Sequence, residues 1–84
     1  MNKRKLFEKV LANQKNISFH EMTILVEAFG FCLSRIRGSH FIFSHPKIPE
    51  LINIQERNGQ AKPYQVREFL TLITRYHLQL GDEA

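Results

Sequence analysis

Apolar residues recur along this chain at two spacings, and the changes between them mark its elements. Leu6, Phe7, Val10 and Leu11 return at helical intervals while Lys5, Glu8 and Lys9 face away, which predicts a short amphipathic helix over residues 3–13. Asn13 to Asn16 is a polar break. Ser18-Phe19-His20-Glu21 then reads as a capping box, with Ile17 and Met22 placed to form a hydrophobic staple. Phe19, Met22, Val26 and Phe29 continue one face, so a second helix is expected over 19–29. Gly30 ends it in the left-handed conformation, and Phe31 folds back onto the last turn.

The period then shortens. Residues 31–37 form a strand candidate, Gly38 a turn, and Ser39 to Ser44, rich in aromatic and β-branched residues, the returning strand. Pro46 and Pro49 are expected to stop that strand. Leu51 to Gln55 alternates and makes a third strand, and 57–62 reads as a loop around Asn58-Gly59. Pro63 suits the first position of a helix. Val66, Phe69, Leu70, Ile73 and His77 mark one face of that helix to about Leu80, after which residues 81–84 should fray. The expected fold class is α+β: a three-stranded antiparallel sheet with helices on one face and an extra N-terminal helix, in the order α-α-β-β-β-α. Its core order is that of the double-stranded RNA-binding domain, a likeness of fold that does not establish function.

Eighty-four residues are read as a single domain, with a core at about 18–78 and a helical extension at 1–17. Twelve Lys and Arg face eight Asp and Glu, giving a net charge of +4 and a pI near 9.6. That balance suits an anionic partner, nucleic acid first, although mild basicity also serves solubility alone. The distribution is more informative. Arg35, Arg37, Lys47, Arg57 and Lys62 share the middle of the chain with only Glu50 and Glu56, while Asp82 and Glu83 lie at the tail. Cys32 is the lone cysteine, so no disulfide can form within the chain. The basic start is interrupted by Glu8-Lys9, and no apolar run approaches the ~20 residues that cross a bilayer; a cytoplasmic location is expected.

Histidine is the side chain best suited to proton transfer near neutral pH. His20 in a first helical turn has a surface reading, and His77 near a helix C-terminus a dipole-favoured one. His45, before Pro46, is either structural or an RNA contact on the surface of His40. His40 directly follows the Gly38-Ser39 turn. Gly38 lets a phosphate approach the backbone, Ser39 offers a hydroxyl or an amide, and Arg35 and Arg37 arrive on the partner strand. Such a group can hold a phosphodiester and move its proton. A half-exposed hairpin histidine without chemistry is the other reading. No metal or other cofactor is expected: His40 and His45 are five apart and point to opposite faces of a regular strand, and no ligand spacing occurs.

The ordered set of Gly30-Phe31, Arg35, Gly38-Ser39-His40, Phe43 and His45-Pro46, followed by Gly59 and Lys62-Pro63-Tyr64-Gln65-Val66-Arg67, resembles the HicA-type toxins. The resemblance covers about residues 18–78 and leaves the first helix as an addition. It implies a double-stranded RNA-binding-like fold and metal-independent cleavage of mRNA, with the histidine of Gly-Ser-His essential. That residue is His40. It also implies a HicB-type antitoxin that covers the active surface. The expected RNA-binding residues are Arg35, Arg37, Gly38, Ser39, His45, Lys47, Arg57 and Lys62. The alternative is a non-catalytic RNA-binding module, and a third class is a protein-interaction subunit, against which the basic middle segment speaks.

Overall fold

A computed structural model describes residues 2–81. Its order is α1 (Lys3–Ala12), α2 (Phe19–Ala28), β1 (Cys32–Arg37), β2 (His40–His45), β3 (Ile48–Arg57), β4 (Gln60–Ala61) and α3 (Pro63–Arg75). The four strands form one antiparallel sheet in sequence order. The α+β class and the double-stranded RNA-binding-like arrangement agree with the sequence reading. The core brings Met22, Leu25 and Val26 of α2 and Val66, Phe69 and Ile73 of α3 against Phe43, Ile52 and Ile54 of the sheet.

Both of the first two helices start as their sequences dictate. Asn2 caps α1 by accepting from the amides of Arg4 and Lys5. The Ser18–Glu21 capping box is complete, at 2.9 Å and 3.1 Å. At the other end of α2, Gly30 has φ +96, its amide bonds to Glu27 O, and the Phe31 amide returns to Val26 O. This is the Schellman closure expected of a glycine there. α1 is integral to the packing: Leu6 and Val10 are buried, Phe7 meets Phe29 edge-on at 4.9 Å, and Lys9 pairs with Glu21.

Three details differ from the sequence reading. The sheet has a fourth strand, because Asn58 (φ 53) and Gly59 (φ 76) both take the left-handed conformation and close a two-residue hairpin that pairs Arg57 with Gln60. β4 is then held on its other side by Ala61 N–H to Ile17 O and Phe19 N–H to Gly59 O. Second, β3 starts at Ile48 and includes Pro49. The β2–β3 register shifts between Phe43 and His45, so Pro49 lies in an irregular stretch where no ladder donor is required. Third, α3 ends at Arg75 instead of continuing to Leu80, and His77 is not on the helix. His77 takes φ 52, its amide bonds to Thr74 O, and the Leu78 amide returns to Ile73 O. A histidine occupies the left-handed closing position usually given to glycine. The expected fraying from 81 onward falls, beyond Gly81, outside the described residues, as do Asp82 and Glu83; Gly81 itself bonds to Ala28 O at 2.9 Å.

Candidate nucleic-acid interface

β2 divides the molecule into two faces. Phe41, Phe43 and His45 point to the helices, and His40, Ile42 and Ser44 to the open side. Pairing carries this division across the sheet. Arg37 stands opposite His40 and Arg35 opposite Ile42 on β1, while Gln55 stands opposite His40 and Asn53 opposite Ile42 on β3. The open face thus has a row Arg37–His40–Gln55 and, behind it, a row Arg35–Ile42–Asn53. Directly opposite side chains in such rows are about 4.5–5.5 Å apart at Cβ. Arg57, two residues beyond Gln55, shares this face.

His40 sits at the Gly38-Ser39 turn, where Gly38 has φ +58 and open space on its Cβ side. The ring is partly exposed, and its Nδ1 lies 3.2 Å from Asn53 Oδ1. An amide oxygen only accepts, so in the neutral ring this contact suits a proton on Nδ1 with the lone pair on Nε2. The turn is tied back to β3: the Gln55 side-chain amide donates to Ser39 Oγ at 3.4 Å, and the Glu56 amide donates to Ser39 O at 3.0 Å. β3 is held in turn by buried Gln65 of α3, whose Oε1 accepts from the Gln55 amide at 2.6 Å.

His45 differs in every respect. It is 9% exposed, packs edge-on against Phe31 at 4.9 Å, and uses both ring nitrogens. Its Nδ1 accepts from the Lys47 amide at 3.0 Å, so its Nε2–H donates to Phe29 O at 3.1 Å. A Cβ at Gly30 would approach Nε2 to 2.9 Å. Of the two readings of His45, structural or RNA contact, the geometry describes the first: it lies on the face opposite His40, with both ring nitrogens engaged.

The basic residues separate likewise. Arg35, Arg37 and Arg57 are exposed on the open face near the Gly38 turn. Lys62, at the N-cap of α3, borders a shallow groove with Arg57 and Asn58 at the same end of the sheet. Lys47 is exposed in the β2–β3 connection, at the far end of β2, roughly 17 Å along the strand from His40. Among the described acids, Glu56 is exposed on β3 between Gln55 and Arg57, and two others are paired away from this face. Glu21 pairs with Lys9 at 2.8 Å and Glu50 with Arg75 at 2.9 Å. The Lys9 ammonium, with the Ser18 amide, holds the Glu21 carboxyl below its ordinary range. The Tyr76 hydroxyl, then Arg75, does the same for Glu50, and Glu50 in return raises the Tyr76 phenol. Among the described residues, no carboxylate is ion-paired with Arg35, Arg37 or Arg57.

Sequence reasoning missed Asn53, Gln55 and Gln65. Asn53 and Gln55 alternate with buried Ile52 and Ile54 along β3, a pattern that marks polar groups on the sheet's second face. Among the described residues no three His, Cys, Asp or Glu side chains converge, and no helix is long and apolar enough to cross a membrane.

An α+β sheet of double-stranded RNA-binding type, bare on one side and carrying a Gly-Ser-His turn there, defines the class of protein. The family profile of the HicA toxin of bacterial toxin–antitoxin systems matches residues 19–73, from the first turn of α2 into the last turns of α3. The chain belongs to the HicA toxin family. It is the toxin member of a toxin–antitoxin system, and a cognate antitoxin is its partner. No curated protein and no solved structure matches it. α1 precedes the matched region yet contributes to the same core.

Proposed function

We propose that this toxin is an endoribonuclease that cleaves mRNA without a metal, with His40 as the proton-transfer residue. The observation that carries the reading is His40 on the bare sheet face, directly opposite Arg37, with Nε2 unengaged among the described residues. His40 Nε2 takes the proton of a ribose 2′-hydroxyl. The 2′-oxygen forms a bond to phosphorus, the bond to the 5′-oxygen breaks, and that oxygen takes a proton from water. The products are a 2′,3′-cyclic phosphate and a 5′-hydroxyl. Arg37, with Arg35 and Arg57 nearby, offsets the charge that builds on the phosphate oxygens. Gly38 and Ser39 give the phosphate room and donors at the turn, while Lys62 and Lys47 lie where RNA extends beyond it. The HicB-type antitoxin covers this same bare face.

Proton transfer by one group supplies about 10²–10⁴-fold. His40→Ala is expected to lose at least about 10²-fold in cleavage of a labelled messenger transcript, and to relieve growth arrest, with an unchanged melting temperature. Cleavage by the parent is expected to persist in a chelator. Full cleavage by His40→Ala removes the assignment. One observation favours a second reading, that of a non-catalytic RNA-binding module: no other imidazole and no carboxylate stands in the rows around His40. Transcript binding that survives His40→Ala, with no cleavage by the parent, selects that reading.

A further inference from the structure

Each nitrogen of a neutral imidazole has one role, and the hydrogen bond made by one nitrogen decides what the other can do. An unpartnered imidazole in water favours the tautomer with its proton on Nε2, which leaves Nδ1, beside its own backbone, as the acceptor. A general base reaching outward from a strand needs the reverse.

Asn53 supplies the means. Its neighbours Ile52 and Ile54 are buried and pair with Phe43 and Phe41, so the backbone that presents Asn53 is fixed by the core. Its cross-strand partner is Ile42, which makes His40 its diagonal neighbour on the open face. Across that diagonal the amide oxygen of Asn53 meets His40 Nδ1 at 3.2 Å. Gln55, the residue directly opposite His40, is turned instead to the Ser39 hydroxyl. Of the two amides flanking the histidine, one holds the turn and the other faces the ring with an acceptor.

We infer that Asn53 is a positioning residue for His40: its carbonyl oxygen fixes the Nδ1–H tautomer and leaves Nε2 as the outward proton acceptor. The inference rests on the proposed role of His40. It also makes sense of a catalytic histidine with no carboxylate beside it. A neutral acceptor orients the ring and follows it through protonation, because Nδ1 remains a donor to the same oxygen in the imidazolium. The bond is a single exposed one, so its loss should slow the chemical step by about tenfold.

The test reads tautomer and rate separately. In the full chain, ¹⁵N chemical shifts of the His40 ring are expected to show Nδ1 protonated and Nε2 unprotonated in the parent. Asn53→Ala should move the population toward Nε2–H. With a labelled messenger transcript, Asn53→Ala should lower kcat about tenfold and leave KM unchanged. Asn53→Asp, which restores an acceptor, should recover the Nδ1–H signature and move the acidic limb of the pH–rate profile to higher pH. An identical tautomer population in parent and Asn53→Ala overturns the inference, whatever the rates. An inert His40→Ala together with an unshifted tautomer in Asn53→Ala discards the positioning role and keeps the nuclease. A shifted tautomer with a fully active His40→Ala keeps the hydrogen bond and discards the chemistry.

Discussion

The two ends of β2 carry the same side chain in opposite circumstances. His40 stands at the start of the strand on the bare face, with one ring nitrogen steadied by Asn53 and the other unengaged. His45 stands at its end on the covered face, with both nitrogens used to join the β2–β3 connection to the carbonyl of Phe29, which caps α2. Five residues on a strand change the face, and the face changes what an imidazole is for. The comparison teaches that a histidine's chemistry is set by which nitrogens its neighbours leave open, more than by the residues beside it in sequence.

The largest expected effects break this comparison at its ends. His40→Ala should remove about 10²–10⁴-fold of the RNA cleavage and leave thermal unfolding as in the parent. His45→Ala should do the reverse. It removes a buried ring from Phe31 and leaves the Lys47 amide and Phe29 O without their partner, at about 2–3 kcal/mol. For a domain of this size that lowers the melting temperature by on the order of 10–20 °C. Protein still folded at low temperature should cleave at the parent rate. A His45→Ala protein that melts normally but no longer cleaves would reverse the two roles.

Two glycines sharpen the contrast, with effects of the same size or smaller. Gly30 has φ +96 and no room, since an added Cβ reaches His45 Nε2. Gly38 has φ +58 and open space. Gly30→Ala should cost about 2–3 kcal/mol, combining backbone strain with displacement of the His45–Phe29 bond. Gly38→Ala should cost about 1 kcal/mol from backbone strain alone, and Gly38→Asn less, as asparagine tolerates the left-handed region. Urea midpoints measured for the three variants check the order.

Much of this was legible in the sequence. The Ser18–Glu21 box, the Gly30-Phe31 closure and the Pro63 start each rest on local chemistry that acts within one turn, and all three occur. Strand parity already placed His40 and His45 on opposite faces. Less legible were features that depend on partners far along the chain. β4 exists because residues before α2 pair with it, although Asn58-Gly59 is itself a hairpin signal. α3 stops early because His77 takes a conformation that only glycine or asparagine would have announced. Asn53 lies thirteen residues from His40 and becomes its neighbour only through the β2–β3 register.

A smaller effect separates the cations of the two faces. Arg37 has no acidic partner among the described residues, whereas Arg75 on the helix side is paired with Glu50. If RNA lies on the bare face, Arg37→Ala should weaken binding to a single-stranded RNA and reduce the slope of log K against log salt by about one. Arg75→Ala should change neither. Equal losses from both would mean that the charge of the whole chain, and not this face, attracts the RNA.

The smallest expected effect lies in acid, and it belongs to the covered side alone. Lys9, first, and then the Ser18 amide hold Glu21 below its ordinary value of 4.5 in the folded chain. A carboxyl with a depressed folded value stabilises the fold fully above its unfolded value and loses that contribution as pH falls through the folded one. Glu21→Gln keeps the capping hydrogen bond, since glutamine also closes a capping box, and removes only the charge. The melting temperature of the parent should therefore exceed that of Glu21→Gln by a constant margin above about pH 5, and the two should converge as pH falls below 4.5. The margin should stay under about 1 kcal/mol, because the Lys9 end of the pair is half exposed and water screens it. Glu50, held low by Tyr76 and Arg75, titrates in the same direction and lies outside this comparison, as both proteins keep it. A margin that persists at low pH would show that Glu21 acts through packing, and that the helix side does not owe its acid response to this pair.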